Sequence, residues 1–208
     1  MPRERPAAPE FDSERPRDAA EEGSELAWLR RAEAHGVPVT PMAVVPAQVE
    51  GDFYRWNNLP ERIEALLADL DPGDPDEDDV EDLLPTAAAW VRDHALLDAV
   101  IDTFYAALGD LPSRLTVRRP GAPGVAASRG RPALIAVKRI WAEDWLLSPS
   151  LARVRGGRGW LPTPRPVLVH AADLRADPAV AAAAARALGR PVAAWSDPEG
   201  RLARLELG

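Results

Sequence analysis

The chain has 208 residues, a formal net charge of −8 and no cysteine. Without cysteine it can form neither disulfide bonds nor thiolate–metal sites. It also has neither the apolar segment of a signal peptide nor an apolar run of about eighteen residues that could span a membrane. The sequence therefore predicts a soluble cytoplasmic protein of one or two modest domains, with no membrane partner.

The charge is unevenly distributed along the chain. Residues 1–110 carry 9 arginines and 26 acidic residues, whereas residues 111–208 carry 16 basic and 7 acidic residues. Opposite signs in the two halves favour mutual attraction within one fold, and a basic surface for nucleic acid is the alternative. Because the whole chain is acidic, we expect no nucleic-acid partner.

Local signals predict the first elements in chain order. Residues 1–23 are rich in Pro, Ala, Arg and Glu and are predicted to be a disordered N-terminal arm. Ser24 is a suitable N-cap for a helix that ends before Gly36. The next predicted elements are a strand at 42–45, a turn or short helix at 51–58 and a helix at 61–70.

The acidic run 71–82 raises the question of a calcium loop. A loop that begins at Asp74 has Asp79 instead of glycine at its sixth position and Pro85 instead of glutamate at its twelfth. Both departures fall at positions that such loops require, so the run is interpreted as a linker whose end caps the next helix. Helical residues follow over 83–108, with a break near Asp93.

The second half begins with a strand at 115–118 and the Pro/Gly-containing loop 119–124. Leu134, Val137, Trp141 and Trp145 then recur at helical spacing, which predicts a helix with one buried apolar stripe. Its polar residues, Asp144 among them, are expected on the solvent side. The elements predicted after it are a helix at 148–154, a glycine-rich surface loop at 155–159, a strand at 166–171, a helix at 177–188, and a hairpin of strands 191–195 and 201–207. Such mixed elements predict an α/β or α+β fold.

Several segments resemble the ATP-binding domain of the pyruvate phosphate dikinase and phosphoenolpyruvate synthase family. Residues 36–45 (GVPVTPMAVV) are similar to its first strand region, Val117-Arg118 falls at its arginine-bearing strand end, and residues 133–155 are similar to its next helix pair. Weaker matches cover 166–171 and 192–198. The resemblance implies an ATP-grasp-like fold with helices on a small mixed or antiparallel sheet. In this interpretation residues 24–165 form the ATP-binding-like region and residues 166–208 complete the sheet as strand, helix and hairpin.

The same alignment predicts which residues replace the family's nucleotide site. Glu25 stands where the family has its ATP-contacting lysine, and Arg118 keeps the family's arginine. Arg119 and Pro120 replace its paired serines. The candidate cofactor-binding residues are therefore Arg118, Arg119 and Glu25, and Glu25 is expected to pair with Arg118 in place of phosphate. The segments that supply the family's magnesium-binding carboxylates and phosphohistidine have no counterpart here, so we expect no metal site, no catalytic residue and at most weak ATP binding.

The three histidines, His35, His94 and His170, are expected to have structural or surface roles. The function predicted from the sequence is a diverged, non-catalytic binding or regulatory protein, with a protein or a nucleotide as candidate partner. One alternative is the ATP-binding subunit of a split phosphotransferase, which would make it part of an ATP-dependent kinase. The other is a nucleic-acid-associated protein that uses the basic C-terminal half.

Overall fold

The computed structural model describes residues 24–208, so the predicted arm lies outside the described residues. Within this range the chain is mixed α and β, with eight helices and two antiparallel sheets. The helices are α1 (Glu25–Ala34), α2 (Ala47–Trp56), α3 (Leu59–Leu66), α4 (Glu77–Asp93), α5 (Asp98–Ala107), α6 (Arg131–Glu143), α7 (Leu147–Arg155) and α8 (Pro178–Leu188). The strands are β1 (Met42–Val45), β2 (Arg114–Arg118), β3 (Val125–Ser128), β4 (Val167–Ala171), β5 (Arg175–Ala176), β6 (Val192–Ser196) and β7 (Leu202–Leu207). No helix in the described range is long and apolar enough to cross a membrane.

The larger sheet has the strand order β1-β4-β2-β3, with every neighbouring pair antiparallel. Strand β4 lies inside this sheet, and its residues Val167, Leu168 and Val169 have no exposed surface. A run of consecutive apolar residues suits a strand that is covered on both faces. Helix α6 packs against β2 and β3, so the end of β2 is enclosed by protein.

The smaller sheet has the order β5-β6-β7, and α1 and α8 pack against it over a separate apolar cluster. The predicted hairpin is confirmed as β6 and β7. Residues 166–208, which were expected to complete one sheet, contribute to both sheets, because β4 joins the larger one and the hairpin joins the smaller one. The two sheets are linked where the backbone N–H of Thr40 donates to the carbonyl of Leu202 at 2.8 Å.

Helix boundaries follow the local capping signals. The Ser24 hydroxyl accepts from the N–H of Ala27 at 3.2 Å, and Gly36 has a φ of +83°, as a residue after a helix end commonly does. Helix α4 begins inside the acidic run, earlier than predicted, because the Asp76 carboxylate accepts from the N–H of Asp78 at 2.9 Å. Acidic residues in a first helical turn are also favoured by the helix dipole. The acidic run is therefore partly helix.

Candidate functional site: two arginine clusters at the end of β2

The tryptophans of the predicted apolar stripe are in the core. Trp141 and Trp145 are both 1 % exposed, which confirms the predicted burial. Trp141 lies 5.2 Å from Phe53 between ring centroids, and the indole N–H of Trp145 donates to the Tyr54 hydroxyl at 2.7 Å. The prediction for Asp144 is wrong, because this residue is buried beside Trp145. This packing fixes α6 and the turn after it against α2.

The last residue of strand β2 and the residue that follows it are both buried arginines. Arg118 is 1 % exposed and Arg119 is 5 % exposed. Their guanidinium groups contact different carboxylates: Arg118 reaches Glu25 of α1, and Arg119 reaches Glu50 of α2. We name the two groups the Arg118 cluster (Glu25, Arg118 and His170) and the Arg119 cluster (Glu50, Arg119, Asp144 and Arg165).

In the Arg118 cluster the guanidinium forms a two-pronged ion pair with Glu25. Nη1 lies 2.5 Å from Oε2 and Nη2 lies 2.8 Å from Oε1. The remaining donors are also used, since Nε donates to Nε2 of His170 at 2.9 Å and Nη2 donates to the carbonyl of Ala203 at 3.1 Å. Bidentate pairs of this kind combine charge with strict geometry. The expected contact between Glu25 and Arg118 is therefore confirmed.

The Glu25 carboxylate has a full set of donors. In addition to the two bonds from Arg118, Oε2 accepts from the N–H of Gly121 at 2.7 Å and Oε1 accepts from the N–H of Leu205 at 3.0 Å. These two N–H groups come from the loop after β2 and from β7, so one side chain of α1 holds both segments. A buried carboxylate with four donors is satisfied without any further ligand.

His170 of β4 completes this cluster as a neutral acceptor. Its Nε2 accepts from Arg118, and its Nδ1 lies 2.8 Å from the carbonyl of Ala171, to which it donates. Burial, together with the nearby Arg118 charge, lowers the pKa of His170 to about 4. The histidine thus has the structural role that the sequence predicts for it.

The Arg119 cluster is a network of four charged side chains. Arg119 pairs with both oxygens of Glu50, at 2.9 Å and 2.8 Å, and its Nη2 also lies 2.8 Å from Oδ2 of Asp144. Arg165 donates through Nη2 to Oδ1 of Asp144 at 2.5 Å and through its backbone N–H to Glu50 at 2.9 Å. The Nε of Arg119 is buried and has no hydrogen-bond partner. This network joins α2, the end of α6 and the segment before β4.

The electrostatics of the Arg119 cluster differ from those of a simple pair. Burial raises the pKa of Glu50, although the Arg119 guanidinium acts in the opposite direction. Burial also acts to lower the pKa of Arg119, but Glu50 and Asp144 raise it above its ordinary value. Arg119 divides its charge between Glu50 and Asp144, and Asp144 has a second guanidinium from Arg165, so Glu50 is the less well compensated of the two acids.

Glycines in the loop after β2 allow its close approach to the strand. A Cβ atom at Gly124 would lie 2.3 Å from Cγ2 of Thr116 and 3.1 Å from the carbonyl oxygen of Val117, so a larger residue would have to displace the Thr116 side chain. Gly121 has a φ of +73°, in the left-handed region that favours glycine, and its N–H is the one that reaches Glu25. The loop is therefore shaped to deliver a backbone donor to the carboxylate.

Sequence reasoning found one of these clusters and missed the partners in the other. Glu25 and Arg118 were both predicted, whereas Glu50 and Asp144 were not identified. A signal for each exists: Glu50 follows Val49 and precedes Phe53 on the buried face of α2, and Asp144 follows Trp141 by three residues. A charged residue at an apolar helical position indicates a buried partner.

Three arginines of the basic C-terminal half, Arg153, Arg155 and Arg158, bear on the nucleic-acid alternative. Arg153 is buried and donates to the backbone carbonyls of Asp144 and Trp160, at 2.5 Å and 3.0 Å. Arg155 pairs with Glu77 at 2.5 Å. Arg158, in the glycine-rich turn, is exposed. Two of these three cations therefore already have protein partners.

No protein-family model matches the chain, and no curated protein is significantly similar to it. The residues that the resemblance assigns to the nucleotide do not fit a phosphate group, since an acid occupies one position and the arginine at the other already donates to it. Among residues 24–208, no group of three or more histidine, aspartate or glutamate side chains is placed to hold a metal ion.

Proposed function

We propose that the chain is a non-catalytic binding or regulatory protein built on a diverged, ATP-grasp-like domain of the dikinase and synthase family. The observation that supports this proposal is the buried Glu25–Arg118 pair, which lies where the resemblance implies nucleotide phosphate. The same residues that would contact ATP hold the fold together instead. They tie α1 to the larger sheet and to β7.

The energy of the pair explains why nucleotide binding would be weak. A phosphate group at this position would have to displace a carboxylate that receives four hydrogen bonds. Breaking a buried pair costs about 3–5 kcal/mol, which corresponds to a loss of roughly two to four orders of magnitude in affinity. The displaced carboxylate would also repel the triphosphate.

The environment of the histidines is consistent with a non-catalytic role. The Nε2 of His170 accepts a hydrogen bond inside the protein, so its lone pair is not free for a phosphoryl group. His35 and His94 each have Nδ1 within 2.8 Å of a backbone carbonyl one helical turn earlier, at Arg31 and Trp90. Each of these two rings caps the end of its helix, which is a structural use of histidine.

The nucleic-acid alternative has less support. Arg153 is buried in hydrogen bonds to the backbone, and Arg155 is paired with an acid from the other half of the chain. Pairs between the acidic and basic halves, such as Glu25–Arg118 and Glu50–Arg119, support mutual attraction as the reason for the uneven charge. A phosphate-binding surface needs several free cations close together, because each contact adds to the salt-dependent affinity.

The proposal is tested by titration calorimetry with ATP, with and without Mg²⁺, and by an assay of phosphate release. We expect no saturable heat and no turnover for the unmodified chain. Magnesium-dependent turnover that is lost in Arg118→Lys and retained in Arg158→Gln would overturn the proposal in favour of the nucleotide-binding subunit. Arg118→Lys keeps the charge in the core, and Arg158→Gln is the matched control at an exposed arginine.

A further inference from the structure

A groove of about 590 Å³ lies between the end of α4, the connection to α5 and the first turns of α6, and it shares no residue with the two arginine clusters. Its volume is in the range of small-molecule sites in proteins. Leu96, Ile101 and Leu134 supply an apolar floor. Ile135 stands at the rim and is 57 % exposed. The groove thus presents apolar surface without a partner.

The rim of the groove is basic. Arg92, Arg131, Lys138 and Arg139 line it, with Asp93 as the one acidic residue among the lining side chains. Arg139 is 3.7 Å from Glu143, an exposed pair of small energetic value. Within residues 24–208, Arg92 and Arg131 have neither a hydrogen-bond nor an ion-pair partner for their side chains. Positive charge therefore exceeds negative charge beside the apolar floor.

Lys138, the only lysine of the chain, faces this groove from α6. Its ammonium group donates to the carbonyl of His94 and lies 5.8 Å from the centroid of the Phe53 ring. One donor of the three is used in that hydrogen bond, so two remain for a ligand. Burial lowers the pKa of Lys138, although Asp93 acts to raise it. An anion in the groove would relieve this unfavourable burial of charge.

We infer that the groove binds a small amphipathic anion, namely a carboxylate attached to an apolar chain of medium length. The carboxylate contacts the rim cations Arg92, Arg131 and Lys138, and the chain lies along Leu96 and Ile101. Both halves of such a ligand match what the groove offers, since apolar area and unpaired positive charge are adjacent. The concave shape favours a small molecule over a flat lipid surface. This site is independent of the Glu25–Arg118 pair and goes beyond the proposed function.

Calorimetric titration with octanoate tests the inference, with 1-octanol and octylamine as ligands that share the apolar chain and differ in charge. We expect saturable binding of octanoate at a stoichiometry of about one, weaker binding of octanol and none of octylamine, because the rim attracts anions. Equal affinity for octanoate and octanol would overturn the inference, as would the absence of saturable binding. Sedimentation with anionic vesicles, in the absence of octanoate binding, would identify a membrane surface instead.

Variants on the rim locate the site without disturbing the core. Replacing both Arg92 and Arg131 by glutamine should weaken octanoate binding about tenfold, since two charge-assisted contacts are lost. Ile135→Asp should abolish it by placing an acid at the rim. Arg186→Gln on α8 is the matched control, because this arginine is exposed and lies outside the groove. Thermal denaturation checks that each variant remains folded, and unchanged affinity in the two rim variants would refute the location.

Discussion

Arg118 and Arg119 are adjacent in sequence and both are buried, yet their surroundings differ in a way that decides how each responds to change. The Arg118 cluster contains one acid, one guanidinium and a neutral histidine, and the hydrogen bonds of its carboxylate are complete. The Arg119 cluster contains two acids and two arginines, leaves one buried N–H without a partner, and extends to the half-exposed Arg165. The Arg118 cluster is a closed pair, in which the loss of either charged member leaves the other buried without a counter-charge. In the Arg119 cluster the remaining charged groups can still pair when one member is lost.

We expect the two clusters to make opposite contributions to the dependence of folding stability on pH. His170 has a lowered pKa in the folded chain, so acid favours the unfolded state through this residue. Glu50 has a raised pKa, so the folded state binds its proton more readily and acid favours folding through this residue. Measurements that vary both sequence and pH can therefore separate the clusters.

The largest expected effect is that of Arg118→Met, which leaves the Glu25 carboxylate buried without its counter-charge. We expect the free energy of unfolding to fall by about 3–5 kcal/mol at neutral pH, as for other broken buried pairs. Urea denaturation measures this loss. The double variant Glu25→Leu with Arg118→Met removes both charges and should lose less than Arg118→Met. If the double variant is the less stable of the two, the closed-pair description of this cluster is wrong.

A smaller effect is expected for Arg119→Met. The free energy of unfolding should fall by about 2–3 kcal/mol, which is less than the loss typical of a broken buried pair. Arg165 still faces Asp144 in this variant, and Glu50 can accept a proton. The loss should be greater at pH 8 than at pH 5, because the unpaired Glu50 must be charged at high pH. Denaturation at both values tests this, with the exposed Arg155→Met as control. A loss independent of pH would contradict the role assigned to Glu50.

The smallest effect concerns His170. Its ordinary pKa is 6.5 and its folded pKa is about 4. The stability that depends on the neutral ring is complete above pH 6.5 and decreases as the pH falls towards 4, by about 2 kcal/mol between pH 6.5 and 4.5. His170→Gln retains an oxygen acceptor for Arg118 and does not titrate. The variant should therefore be less sensitive to acid than the unmodified chain, and equal sensitivity would show that His170 does not titrate in this range.

Prediction from the sequence succeeded where a local signal fixes the structure. The capped helix α1, strand β1 and the β6–β7 hairpin follow from capping residues and apolar patterns that act over a few positions. The Glu25–Arg118 contact was also expected, through the resemblance, and the structure contains it. This contact concerns two residues only and does not test the resemblance to the family, which stays a prediction.

Prediction failed where the outcome depends on distant partners. Strands β3 and β5 are short, and their pairing is decided by β2 and β6 rather than by their own composition. The division into two sheets depends on where β4 inserts, which no local pattern specifies. Asp144 looks like a solvent-exposed residue at the end of a helix, and it is buried because Arg119 and Arg165 meet it there.

The bond from the N–H of Leu205 to Glu25 joins residues 180 positions apart, and it has a consequence for synthesis of the chain. During translation α1 leaves the ribosome long before β7 exists, and β1 likewise waits for its neighbour β4. Contacts between such remote segments form slowly, since a long loop must be closed before they are made. Until β7 has been made, Glu25 lacks one of its four donors and the apolar side of α1 lacks part of its cover. We therefore expect the growing chain to expose apolar surface, which favours aggregation, until β7 has been made.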